Sequence, residues 1–238
     1  MVITSKDNKR IKEIRKLLTK KGRTKAQQFL IEGEHLIEEA IQFGAHIEEI
    51  FVLETDTFNF DLKTTVVTKD VMSSLSKLVT PPGIIAVVRM ETKSIESDRV
   101  LAIDGIQDPG NLGTLIRTAD AFNFKRILIG KNTVDPYSDK VLRSSQGSHF
   151  HVSLEDVDLI EVMQNFNGTI LTTDLSGESL TDKITDEKIM IVLGNEGQGV
   201  SEEVLEHANY KVKIDMPGDA ESLNVAVAGG ILMHQYSL

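Results

Sequence analysis

Three short stretches hold the residue types best suited to chemistry. DPGNLGTLIR contains Asn111 and, six residues on, Arg117; LGNEGQG contains Asn195 and Glu196; MPGDAESLN contains Ser222 and Asn224. In each, polar side chains stand beside glycines, which let the backbone approach a ligand closely while the side chains direct hydrogen bonds at it. Each stretch also has a plainer use. Asn111 can cap a helix starting between Leu112 and Thr114, Ser222 can cap another, and Glu196 is an acid well placed near a helix start. GNEGQG can be a turn whose Gly and Asn tolerate positive φ. Arg117 lies outside the apolar set Leu115, Ile116, Ala119 and Phe122, so it reads as solvent-exposed. Caps and turns are the commoner use of any one stretch; three together point to a site.

Competing motifs are weak. The glycines of GNEGQG fall at 194, 197 and 199, which is not a dinucleotide fingerprint, and no phosphate-binding GxxxxGK[ST] loop occurs. No local motif marks a Ser-His-Asp set. His149 and His151 alternate in a stretch expected to be extended, so they share one face, but with no evident third ligand they read as structural or surface residues, with no metal implied. The absence of cysteine from the sequence excludes disulfides, thiolate metal sites and a thiol nucleophile.

The elements that must position these loops alternate along the chain. VLAID precedes DPGNLG, IMIVLG precedes NEGQG, and KVKID precedes the third loop; RILIG and TILTTDL read as further strands, and HFHVS as extended. Nearly continuous apolar strands separated by helices predict a parallel sheet covered on both faces. Ligands in such sheets bind beyond the carboxyl ends of the strands, so the three loops converge if their strands are neighbours. Before residue 92 a smaller α/β pattern is expected: a helix from Asn8 to Leu18, strands at Phe29–Ile31, EEIFVLE, TTVVTKD and GIIAVVRM, and helices at His35–Phe43 and VMSSLSKL. The polar ETKSIESD links the halves, giving expected domains of 1–92 and 99–238 with a linker at 93–98. The longest purely apolar run, IIAVV, is far below a membrane span and no signal-peptide pattern opens the chain, so a cytoplasmic protein without membrane partners is expected.

Charge is sharply divided. The formal net charge is -10, yet residues 1–25 carry ten basic residues against Asp7 and Glu13, a local +8, leaving -18 on the remainder. A charge run alone reads equally as a solvated basic helix with no partner, but ten cations in 25 residues with almost no balancing acids favour an electrostatic footprint for a polyanion, RNA or DNA.

The three loops together resemble the ordered motifs of the SpoU branch of the SPOUT RNA methyltransferases: DPGNLGTLIRTADAF, IVLGNEGQGVS and IDMPGDAESLNVAVAGGI. The N-terminal region, with its basic helix and FLIEGEHLIEEAI, is similar to the L30e-like substrate-binding domain often fused to this family. The resemblance implies an α/β protein: a SPOUT domain with a parallel sheet and a deep trefoil knot, preceded by a small L30e-like domain. It implies a homodimer that uses S-adenosylmethionine to methylate a ribose 2'-hydroxyl in structured RNA, the RNA site being completed across the dimer interface. The extra domain favours 23S ribosomal RNA; tRNA, or an RNA-binding assembly protein with a vestigial site, are the alternatives. By motif, Leu193, Gly194, Ile214, Met216 and Leu223 are expected around the cofactor, and Asn111, Arg117, Glu196, Ser222 and Asn224 in catalysis or substrate positioning. RNA contacts are expected from Lys9, Arg10, Lys12, Arg15, Lys16, Lys20, Lys21, Arg23 and Arg143. Two departures stand out: Asp215 occupies the usual proline of IPM-x-G, and Ala226 stands where serine is common.

Overall fold

The computed structural model describes residues 2–58, 60–91, 93–179 and 186–237, without the side chain at 175. The chain forms two compact units, Met1–Glu91 with Tyr137–Phe150, and Thr92–Pro136 with His151–Leu238.

The first unit opens with β1 (Val2–Ile3) and α1 (Lys9–Arg15), whose N-cap Asn8 accepts from the Arg10 N–H. A 3-10 turn (Lys16–Leu18) leads to α2 (Lys20–Ala26), capped by Thr19. Then come β2 (Gln28–Glu32), α3 (Glu34–Gln42), β3 (Ile47–Leu53), β4 (Thr64–Val67), α4 (Lys69–Leu75) and β5 (Ile84–Arg89). The five strands form one sheet in the order β1-β4-β3-β5-β2. One face packs Ile11, Ile14 and Leu17 of the N-terminal segment against Val71, Met72 and Leu75 of α4. The basic segment is therefore amphipathic, and its apolar side is part of a core.

The second unit carries a six-stranded, wholly parallel sheet in the order β11-β9-β10-β6-β7-β8. It begins with β6 (Arg99–Asp104), α5 (Pro109–Ala121) and β7 (Arg126–Ile129). The chain next supplies α6 (Asp139–Ser145) and a 3-10 turn (Ser148–Phe150) to the first unit, where Leu142 and Phe150 are buried with Phe29. This corrects the expectation that 99–238 is one continuous domain. The second unit resumes with β8 (Ser153–Asp156), α7 (Leu159–Gln164), β9 (Thr169–Ser179), β10 (Ile189–Gly194), α8 (Glu202–Leu205), β11 (Tyr210–Lys213) and α9 (Val225–Gln235). Every residue of β10 is buried, as an interior parallel strand requires.

The extended reading of HFHVS is also corrected. His149 lies in the 3-10 turn, its ring 5.0 Å from that of Tyr137, while His151 Nδ1 pairs with Asp120 at 2.7 Å. The two histidines share no strand face, and long-range aromatic packing overrides the local alternation.

Candidate active site

β6 and β10 are adjacent, with Ile103 opposite Leu193 and Asp104 opposite Gly194, so the first two loops leave the sheet side by side. Asp108, not Asn111, caps α5: its carboxylate accepts the Asn111 N–H at 2.9 Å, and Pro109 takes the first helical position, where a missing N–H does no harm. The Asn111 side chain is thereby released from capping. Its Nδ2 donates to Glu196 Oε1 at 3.0 Å, and its Oδ1 accepts from Asn224 Nδ2 at 2.9 Å. The cap of α9 is Asn224, whose Oδ1 accepts from Ala226 and Val227, so the expected cap role of Ser222 falls to its neighbour instead. One residue from each loop thus joins a continuous chain, Glu196–Asn111–Asn224, anchored at both ends to the start of a helix.

Glu196 also accepts the backbone N–H groups of Asp108 at 3.0 Å and Gln107 at 3.2 Å. Partial burial works against its charge, but these donors and the Asn111 amide prevail and hold its carboxyl below the usual value. An ionised carboxylate at the positive end of a 13-residue helix follows.

The chain borders a cavity of about 640 Å3, a volume typical of cofactor sites. Leu193, Gly194, Ile214, Met216 and Leu223 line it, as do Asn195, Glu196, Ser222 and Asn224. Thr173, Asp174, Lys213 and Glu221 line it as well, and the sequence reading missed all four; no loop motif marks Thr173 and Asp174, which lie within β9. A Cβ at Gly194 would collide with the backbone of Gly199 and Val200, so the second loop folds back directly over the end of β10. Apolar walls with acidic groups at the margin suit a ligand that joins an adenine ring to cationic sulfonium and ammonium groups. Asp215, the residue in place of the usual proline, accepts from Ser179 Oγ at 3.0 Å and so ties the third loop to the end of β9. Ala226 is buried.

Arg117 stands apart. It is exposed, absent from the cavity lining, and six residues beyond Asn111 on α5. Six residues turn an α-helix about 240° past a full circle and advance it about 9 Å, so the two side chains leave different faces. Within one chain the structure does not bring Arg117 to the polar chain.

Residues 98–234 match the SpoU rRNA Methylase family, and residues 8–86 match the MRM3-like substrate binding domain. The chain belongs to the SpoU rRNA methylase family. It is 39% identical to the 23S rRNA (guanosine(2553)-2'-O)-methyltransferase RlmP of Bacillus subtilis, over 98% of this chain and 97% of that one. An AdoMet-bound rRNA methyltransferase from Sinorhizobium meliloti superposes with a TM-score of 0.86 at 28% identity, covering 99% of this chain and 96% of the other. The SpoU methyltransferase AviRb from Streptomyces viridochromogenes, in complex with AdoMet, gives 0.84 at 25% identity, with 97% of each chain covered.

In this SpoU protein the basic block divides into exposed residues and residues held by the fold. Lys9, Lys16, Lys20 and Lys21 are exposed. Arg23, expected to meet RNA, is instead buried at 5% exposure and donates to the Leu17 carbonyl, pinning α2 to the preceding turn. Arg10 donates to the buried Glu49 at 2.8 Å, Arg15 to the Lys6 carbonyl at 2.9 Å, and Lys12 pairs with Asp7 at 2.8 Å. Arg143 is held by Asp139 on its own helix at 2.9 Å. Among the described residues no group of His, Asp and Glu is arranged to hold a metal, and no helix is long and apolar enough to cross a membrane.

Proposed function

We propose that the protein is an S-adenosylmethionine-dependent methyltransferase acting on a ribose 2'-hydroxyl of structured RNA, with 23S ribosomal RNA as substrate. The observation that carries this reading is the Glu196–Asn111–Asn224 chain beside the cavity of Leu193, Gly194, Ile214, Met216 and Leu223. Similarity to AdoMet-bound structures supports the cofactor, and similarity to a 23S ribosomal enzyme supports the RNA. The bound cofactor supplies a sulfonium methyl: an O–C bond forms as the S–C bond breaks, and the hydroxyl proton leaves to water.

The chain's own residues position the acceptor, and positioning alone can supply much of the acceleration. Asn111 and Asn224 each retain a second amide N–H after their mutual and Glu196 bonds, and offer it to ribose oxygens. Ser222 adds a hydroxyl at the cavity wall. The part of Arg117 is to stabilise the developing alkoxide and, through its planar guanidinium fork, to grip a phosphate. It does this in a homodimer, reaching the partner's site. The exposed Val227 and Ile231, one turn apart on α9, supply an apolar strip for that interface. The family likeness carries with it a trefoil knot in the second unit.

The test is transfer of labelled methyl from S-adenosylmethionine to ribosomal RNA from a strain lacking the protein, with the modified nucleotide mapped. A labelled ribose 2'-oxygen is expected; label on a base, or none, overturns the reading. Arg117→Ala should abolish transfer while cofactor affinity stays within about threefold, a loss that spares the cofactor pocket. Near-normal turnover would remove Arg117 from the site.

A further inference from the structure

Asn195 is outside the Glu196–Asn111–Asn224 chain, yet its side chain uses three hydrogen bonds. Its Oδ1 accepts the N–H groups of Gly197 at 2.9 Å and Gln198 at 3.1 Å, closing a tight turn. Two backbone bonds between Asn195 and Gly199, of 2.8 and 2.9 Å, seal the same turn. Its Nδ2 crosses to the first loop and donates to the Gly105 carbonyl at 2.9 Å. Gly105 is itself fixed: its φ is +76°, and its N–H donates to Thr133 Oγ1 at 3.2 Å.

The two adjacent residues of the second loop therefore bridge the same pair of segments. Asn195 reaches residue 105, and Glu196 reaches 107, 108 and 111. Asp104 adds a third tie by accepting the Ser201 N–H at 2.8 Å, beyond the turn. Glu196 is exposed and follows Asn195 directly, and its own backbone N–H is one of the donors to its carboxylate. Whether the carboxylate also reaches Gln107, Asp108 and Asn111 depends on the separation between the turn and residues 105–111, and the Asn195–Gly105 bond is the side-chain tie nearest to it.

We propose that Asn195 is a positioning residue: by bracing the second loop against Gly105 it aims Glu196 at the start of α5, and through Glu196 it orients Asn111 for the RNA ribose. The catalytic part of this inference rests on the methyltransferase reading; the structural part does not. A residue that only stabilised its own turn would use the Oδ1 bonds and leave the brace idle.

The experiment uses the full chain. Amide hydrogen exchange at Gln107 and Asp108, whose N–H groups donate to Glu196, is followed by NMR without cofactor or RNA. Asn195→Ala is expected to speed both by about tenfold, the scale of one lost hydrogen bond, with β10 amides unchanged. Asn195→Asp keeps the acceptor for Gly197 and Gln198 but cannot donate to Gly105, so it should behave as Asn195→Ala does. Wild-type protection in either variant overturns the brace. In single-turnover methylation, Asn195→Ala combined with Glu196→Gln should be no slower than Glu196→Gln alone, because both act along one path. Multiplying losses would show that Asn195 acts elsewhere. Should the wild-type protein transfer no methyl group, the functional reading fails while the exchange data still decide the brace.

Discussion

Asn111 is the residue whose role depends most on three-dimensional context. From its neighbours alone it is a good helix cap, and that reading fails by one turn because Asp108 is an equally good cap with Pro109 behind it. The Asp-Pro pair is the signal in the sequence that could have freed Asn111 for the site. Arg117 shows the opposite limit, since its exposure was legible and its function within one chain was not. For Glu196 the bonds from Asn111, Asp108 and Gln107 favour the charged form. Its carboxylate should therefore stay ionised until pH falls through a value below the ordinary Glu range, and its part in activity should be lost only below that point. Glu196→Gln keeps the size but puts an N–H donor where one oxygen accepts. We expect at least about a hundredfold loss in methylation rate at neutral pH, on the scale of one misplaced preorganised group. Cofactor titration of the same variant should show affinity within about threefold; a tenfold weaker affinity would place Glu196 in cofactor binding instead.

Among elements, those that bury one continuous face were legible. IMIVLG and VLAID are apolar along their length because helices cover both sides of the sheet, and the Leu112, Leu115, Ile116, Ala119 stripe places α5 against it. Two elements left no such trace. The α2 sequence KKGRTKA has no apolar stripe and is held by the Thr19 cap and the buried Arg23, and β1 is only two residues long. The α6 segment gave no sign of belonging to the first unit, because Phe29 and Ile37, with which its Leu142 is buried, are more than a hundred residues away. At this scale the testable feature is the cap of α5. Asp108→Ala should cost about 1 kcal/mol in denaturant unfolding, since it leaves the Asn111 N–H without its acceptor. It should also slow methylation, because the first turn of α5 carries both Asn111 and the N–H groups that hold Glu196. A stability loss with full activity would show that this turn is set by Glu196 alone.

For the molecule as a whole the informative quantity is the charge division, and the fold changes how it must be tested. Deleting residues 1–25 is the obvious probe of RNA binding, but Ile11, Ile14 and Leu17 are core residues of the first unit, and deletion would remove one wall of it. Arg10 further ties the segment to Glu49, which is buried and also bonded by Thr65 and Lys63. Lys9, Lys16, Lys20 and Lys21 are exposed cations that can be replaced without cost to the fold. Replacing all four with Gln leaves the core, the caps and the Glu49 cluster intact, so unfolding free energy should change by no more than about 1 kcal/mol. RNA affinity should fall, and the slope of log K against log salt should shrink by up to about three, near 0.7–0.9 for each phosphate that the lysines no longer neutralise. Affinity for S-adenosylmethionine should not move, because the cavity is lined wholly by residues of the second unit. An unchanged salt slope with the fold intact would mean that these four lysines are merely solvated, and that RNA is gripped through other groups such as Arg117.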